Sequence, residues 1–215
     1  MKSFPVTICA VVILLTANVH AEELPFVDKF IPWSEHRDEL GDEYTLKHYG
    51  KVVRQIVPQA VVVHWTAMGT LESVWKYFSA EEMDDDEGRL NVASQFLVDR
   101  DGTIVRLMPE TNLARHAIGY NHCAIGIENV GGYDGHEDLT EAQLAANVRL
   151  IKYLHAKYPT IKYVFGHCQQ DAARASGLYI ELVPDYYAVK TDPGKIFMRG
   201  LREQLESDGL TFYDE

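Results

Sequence analysis

Ala60-Val61-Val62-Val63-His64-Trp65-Thr66-Ala67-Met68-Gly69-Thr70-Leu71 is the stretch from which the rest of the chain can be read. A short β-branched run, opened by Pro58 and closed by turn-forming residues, marks a strand buried on both faces. Such a strand belongs in the middle of a sheet. Beyond the turn, Leu71, Val74, Trp75 and Phe78 recur at helical spacing behind Thr70, a good N-cap. The aromatic stripe of this helix reads as core. Strand followed by helix, in a chain that goes on alternating, predicts the α/β class: a single mixed central β-sheet flanked by helices.

The remaining elements extend that pattern. Val92 to Val98 and Thr103 to Met108 read as strands joined by the hairpin turn Asp99-Arg100-Asp101-Gly102. Ala124 to Asn129 is another buried strand, with Gly131, Gly132 and Gly135 marking the loop after it. Thr140 and Gln143 form a capping box before a long helix, whose stripe of Leu144, Val148, Ile151, Leu154 and Tyr158 stops at Pro159. Ile161 to Phe165 is a further strand, and residues 196–205 a last helix. No strand is followed by a phosphate-cradling glycine motif, which argues against a nucleotide enzyme.

With 215 residues, 47% hydrophobic and 24% charged, the chain suits one domain with a real core, or one domain plus a short extension. A net charge of −12 argues against nucleic acid or an anionic membrane surface as a partner. Met1-Lys2, an apolar run to about Thr16 and then Val19-His20-Ala21 have the three parts of a secretory signal. An uncleaved anchor is the competing reading. The expectation is a signal peptide over residues 1–21 and a soluble mature chain, periplasmic or secreted. Residues 22–56 read as an N-terminal extension packed on a main domain of residues 57–215, with a helix near 34–48. Cys9 lies in the apolar run, leaving Cys123 and Cys168. Export permits a disulfide, but one cysteine opens a strand and the other follows one, so parallel neighbours would place them at opposite ends. The acidic run Glu81 to Glu87 reads as a solvated loop, lacking the spacing of a calcium loop.

Candidate chemistry sits at strand ends. His64 closes Val61-Val62-Val63 and His167 closes Tyr163-Val164-Phe165-Gly166, so both leave the rim of a sheet. With Asp192 of Val189-Lys190-Thr191-Asp192-Pro193-Gly194 they make a three-ligand zinc set that keeps a fourth position for water. Glu128 ends Ile125-Gly126-Ile127, where a carboxylate without a purpose is expensive. Lys190 lies two residues before Asp192 and, in an extended segment, points to the same side. Each residue also has a plainer reading. A strand-end histidine is often a hydrogen-bonded structural one, and Glu128 reads equally as a rim carboxylate with a surface cation. The scissile bond and the substrate are not written in the spacing.

Six motifs carry a resemblance. Val-Val-Val-His64-Trp-Thr-Ala, Phe96-Leu-Val-Asp-Arg-Asp-Gly-Thr-Ile, Arg115-His116-Ala-Ile-Gly-Tyr120-Asn121-His122, Ile-Gly-Ile-Glu128, Phe-Gly-His167 and Lys190-Thr-Asp192-Pro-Gly occur in that order. Over residues 58–200 or so the chain resembles the zinc N-acetylmuramoyl-L-alanine amidases (the type 2 amidases), which include phage lysis amidases and animal peptidoglycan-recognition proteins. No motif is specific alone; the ordered set is.

The resemblance implies an amidase/peptidoglycan-recognition-like fold and one zinc ion per chain on His64, His167 and Asp192. It implies that Glu128 is general base and acid and that Lys190 stabilises the oxyanion. His116, Tyr120, Asn121 and His122 are implied to contact substrate. The implied reaction is hydrolysis of the amide between N-acetylmuramic acid and L-alanine in peptidoglycan or muropeptides, by a monomer. A non-catalytic peptidoglycan receptor and a zinc peptidase acting within the stem peptide are the alternatives. Three departures bear on this. Gln95 stands where relatives often carry histidine, Lys195 replaces a frequent proline, and residues 168–189 form a longer, tyrosine-rich insertion. Tyr179, Tyr186 and Tyr187 either line a groove wall or simply pack that insertion.

Overall fold

Val61, Val62 and Val63 expose no surface, as a run without polar alternation requires of a strand covered on both sides. The computed structural model describes residues 24–214, so the signal-like residues 1–21 and Cys9 lie outside the described part of the chain. In chain order the elements are β1 (Phe26–Asp28), α1 (Glu35–Tyr49), β2 (Ala60–Trp65), α2 (Leu71–Ser79), β3 (Phe96–Val98) and β4 (Ile104–Arg106). β5 (Ala124–Asn129), α3 (Glu141–Lys157), β6 (Tyr163–Gly166), α4 (Lys195–Leu205) and β7 (Thr211–Phe212) follow. The strands form one sheet in the order β1-β4-β3-β5-β2-β6-β7. Only the β3–β4 hairpin is antiparallel. This is the mixed sheet that the sequence predicts, with β2 at its heart.

Alternation along β2 sets the two faces. Val61 and Val63 share a core with Ile125, Ile127 and Val164, closed by Leu150 and Leu154 of α3 and Leu201 of α4. Ala60 and Val62 face the other way, onto Ala117, Tyr120, Ala124 and Phe165. His64 continues this second set, so it leaves the sheet on the face that α3 and α4 do not cover. Further along the sheet, α2 packs Val74 and Phe78 near Leu97 and Val105. Thr70 caps α2, and Thr140 with Gln143 caps α3, as the sequence indicates.

The N-terminal extension contributes both a strand and a helix to the main domain. β1 pairs with β4 as a strand of the sheet. α1, capped by Ser34, carries Arg37 to the end of α2, where its guanidinium donates to the carbonyls of Phe78, Ser79 and Ala80. A helix end leaves such carbonyls without partners of its own. The strand expected over residues 92–98 narrows to Phe96–Val98. Ahead of it the Ala93 amide donates to the Arg115 carbonyl and the Ser94 hydroxyl to the Phe96 carbonyl, so the backbone has left the ladder. Cys123 and Cys168 are free thiols, one just before β5 and the other just after β6. Among the described residues no helix is long and apolar enough to cross a membrane.

Candidate metal centre

Three adjacent parallel strands deliver the chemistry in one row. His64 and Glu128 are register partners on β2 and β5, and Val63 pairs with Gly166, the residue before His167. The row lies at the carboxyl ends of the strands, where parallel sheets place their sites. Asp192 arrives from the long segment after β6. The Cys168 amide donates to the Asp192 carbonyl at 2.7 Å, folding the turn back onto the strand end. Gly166 leaves room for that turn, since a Cβ there would lie 2.7 Å from Pro193 Cδ and 2.9 Å from Met198 Cγ.

The side chains converge. His64 Nδ1 lies 3.0 Å from His167 Nδ1 and 3.0 Å from Asp192 Oδ2, and His167 Nδ1 lies 3.3 Å from the same carboxylate oxygen. A zinc ion held tetrahedrally at about 2.0–2.1 Å keeps its ligand atoms about 3.3 Å apart. The triangle therefore has nearly the size that such a cation needs, and two imidazoles with one carboxylate suit zinc. All three residues are buried, Asp192 the least so at 9% exposed. Beside them Glu128 Oε2 is buried with no hydrogen-bond partner in the protein. A carboxylate oxygen left so is costly unless the site gives it something to bind. The residues fit a metal centre.

Electrostatics agree with the geometry. Burial alone would raise the Asp192 carboxyl, but the hydrogen-bonded imidazoles of His167 and His64 hold it well below the usual carboxylate range. Burial and then the neighbouring His64 ring push His167 down to about 4, leaving it neutral and free to ligate near neutral pH. Burial, reinforced by the Asp192 charge and opposed by Lys190, pushes Glu128 well above an ordinary glutamate. A carboxyl so strongly perturbed beside a donor set is a candidate for proton transfer.

A family model described as N-acetylmuramoyl-L-alanine amidase matches residues 54–195, a span that contains every residue of this row. The chain belongs to that amidase family. The endolysin of Enterobacteria phage T3 is 33% identical over 104 residues, covering 46% of this chain and 68% of the phage protein. The endolysin of Escherichia phage T7 is 33% identical over 103 residues, with the same shares. Among solved structures, the endolysin N-acetylmuramoyl-L-alanine amidase LysCS from Clostridium intestinale URNW superposes with a TM-score of 0.58 at 20% identity, over 86% of this chain and 98% of that one. That likeness is one of fold. The chain is thus an N-acetylmuramoyl-L-alanine amidase, an enzyme of peptidoglycan hydrolysis.

Around the amidase's row of polar groups, Lys190 is exposed and borders two hollows. One, of about 290 Å³, is walled by His116, His167, Asp85, Arg115 and Tyr186. The other, of about 360 Å³, is walled by Trp65, Glu137, Cys168 and Thr191. Asp85 corrects the reading of the acidic run as wholly solvated. Its carboxylate accepts from Arg115 Nη2 at 2.7 Å, and the same nitrogen donates to the Tyr186 hydroxyl at 2.8 Å. Arg115 stood in a quoted motif without a role; only its partners, distant in sequence, reveal one.

The four residues expected to contact substrate fare differently. Tyr120 has no exposed surface, and its hydroxyl donates to the Gln170 carbonyl. Asn121 is buried too, its Oδ1 accepting from the amides of His116 and Ala117 and its Nδ2 donating to the Tyr44 hydroxyl. Both side chains are committed to partners within the protein, and of the two only Asn121 also lines the 290 Å³ hollow. His122 packs its ring 4.8 Å from that of Tyr49 rather than toward the row. His116 does border the hollow, but both its ring nitrogens have protein partners, His64 and the Ala124 carbonyl. Gln95 is structural as well, its side chain bridging the Gly126 amide and the Asn112 carbonyl. Of the insertion tyrosines, Tyr186 and Tyr187 line the 290 Å³ hollow, while Tyr179 packs against Tyr120.

His122 yields a pH effect. Burial, with Lys51 nearby, lowers it from 6.5 to about 4. The unfolded chain then takes up this proton first, so stability falls as pH drops from about 6.5 toward 4. In metal-free protein, His122→Asn is expected to flatten this part of a Tm-against-pH curve. A slope equal to that of the parent would refute the effect.

Proposed function

We propose that the amidase holds one zinc ion on His64 Nδ1, His167 Nδ1 and Asp192, and cleaves the bond between the muramic acid lactyl group and L-alanine. The observation that carries this reading is the convergence of those three atoms beside the unpartnered Glu128 carboxylate. When bound, the cation supplies Lewis acidity, polarising the scissile carbonyl and acidifying the attacking water. Glu128 accepts that water's proton as the new carbon–oxygen bond forms. It then returns the proton to the alanine nitrogen as the carbon–nitrogen bond breaks, so the products are a muramic acid carboxyl and a free amine. Lys190, on the rim between the two hollows, donates to the oxygen that gains charge. The hollows on either side of it receive glycan and stem peptide, with Tyr186 and Tyr187 along one wall.

The substrate class is peptidoglycan or its soluble muropeptides, and the acting species is a monomer. Residues 1–21 serve as a signal peptide, so the mature chain works in the periplasm or outside the cell. Residues 22–56 belong with the catalytic unit, since β1 and α1 are built into its sheet and helix packing. Digestion of purified sacculi tests the reaction. New N-terminal L-alanine, abolished by chelation and restored by zinc, is the expected product; a different new amine would indicate a stem-peptide peptidase, and none a receptor.

A further inference from the structure

His116 is not one of the three converging donors, yet its ring meets one of them. Its Nε2 lies 3.2 Å from the Ala124 carbonyl oxygen. A carbonyl only accepts, so in a neutral ring Nε2 carries the hydrogen and Nδ1 the lone pair. That Nδ1 lies 3.1 Å from His64 Nε2, which must therefore donate. The hydrogen-free nitrogen of His64 is then Nδ1, the atom 3.0 Å from both His167 Nδ1 and Asp192 Oδ2. A backbone carbonyl at the start of β5 thus decides, through one imidazole, which nitrogen of another faces the site.

The local structure is built to hold this ring. The His116 and Ala117 amides both donate to Asn121 Oδ1, at 2.8 and 2.7 Å, fixing the backbone that carries it. Gly126, in the middle of β5, provides the space, for a Cβ there would lie 2.8 Å from His116 Cγ. The two rings stand nearly perpendicular, at 83°, and their centroids, 5.2 Å apart, leave room for the nitrogen-to-nitrogen contact between their edges. His167 has no such support, since its Nε2 is buried without a partner.

We infer that His116 is a positioning residue, setting the tautomer and the angle of His64 for zinc without touching the metal itself. This rests on the zinc reading given above. Hydrogen bonds to the outer nitrogen of a ligating histidine characteristically fix its tautomer and raise its basicity. The experiment is zinc affinity, measured on the purified mature chain by competition with a chromophoric chelator. His116→Phe keeps a ring over Gly126 but removes both nitrogens, and zinc should bind about 10–100-fold more weakly. His116→Gln can still accept from His64 and donate to Ala124, and should stay within about threefold of the parent, well inside the range set by losing the contact. The Tm of each metal-free protein shows whether a variant is folded, and a general loss of structure would not be rescued by glutamine. Parent-like affinity in His116→Phe, or equal weakening in both variants, overturns the inference. A parent chain that binds no zinc at all would overturn the metal assignment itself, and this inference with it.

Discussion

Asp192→Asn should strip the protein of zinc and of hydrolysis together. The substitution keeps the size of the side chain but removes the one anionic member of a buried triangle. Neutralising it leaves two imidazoles, one of them already lowered to about 4 by burial and its neighbour, to hold a doubly charged ion. Losing an outer hydrogen bond to a metal ligand costs about 10–100-fold in affinity, and losing a charged ligand should exceed that. The measurement is zinc per chain after gel filtration, with amine release from sacculi on the same samples. The backbone should tolerate the change, because the Cys168 amide bonds the residue's carbonyl and not its side chain. One zinc per chain in the variant would remove Asp192 from the ligand set.

Glu128→Gln should separate binding from turnover. Glutamine fills the same space beside His64 but accepts no proton, so hydrolysis should fall by roughly 10²–10⁴-fold, with zinc content and KM close to those of the parent. A second effect has the opposite sign. Glu128 Oε2 is buried without a partner, and burial and Asp192 hold the carboxyl well above its ordinary range. Folding with such a group is unfavourable at neutral pH, so removing the charge should raise the Tm of metal-free protein. A variant with parent-like turnover would end the assignment of Glu128 as base. A Tm that falls would refute this second effect.

Much of this was written in the sequence because the main elements obey local rules. The valine run before His64, the hairpin at residues 99–102, the capped helix after Thr140 and the apolar run before His167 all sit where their periodicity places them. Both histidines and Glu128 were legible for one reason: each ends a buried strand, and such strands in a parallel sheet finish side by side. β1 and β7 were not legible. They are short edge strands of three and two residues, defined by partners distant in sequence. Nor could the sequence tell which polar residues near a glycine-rich loop face the groove. Tyr120 and Asn121 look like surface residues until the Gln170 carbonyl and the Tyr44 hydroxyl are brought to them. His116 is the sharpest case, for its role depends on a ring geometry that no spacing encodes.

The pairing of His64 with Glu128 across β2 and β5 has one more consequence. A slip of one residue between those strands would turn a whole side of one of them to the opposite face, so the distance from proton acceptor to ligand is locked by the backbone ladder. The segments around residues 81–88 and 178–189, in contrast, stand outside that ladder. Side chains on these outer segments can therefore change without shifting the spacing between His64 and Glu128.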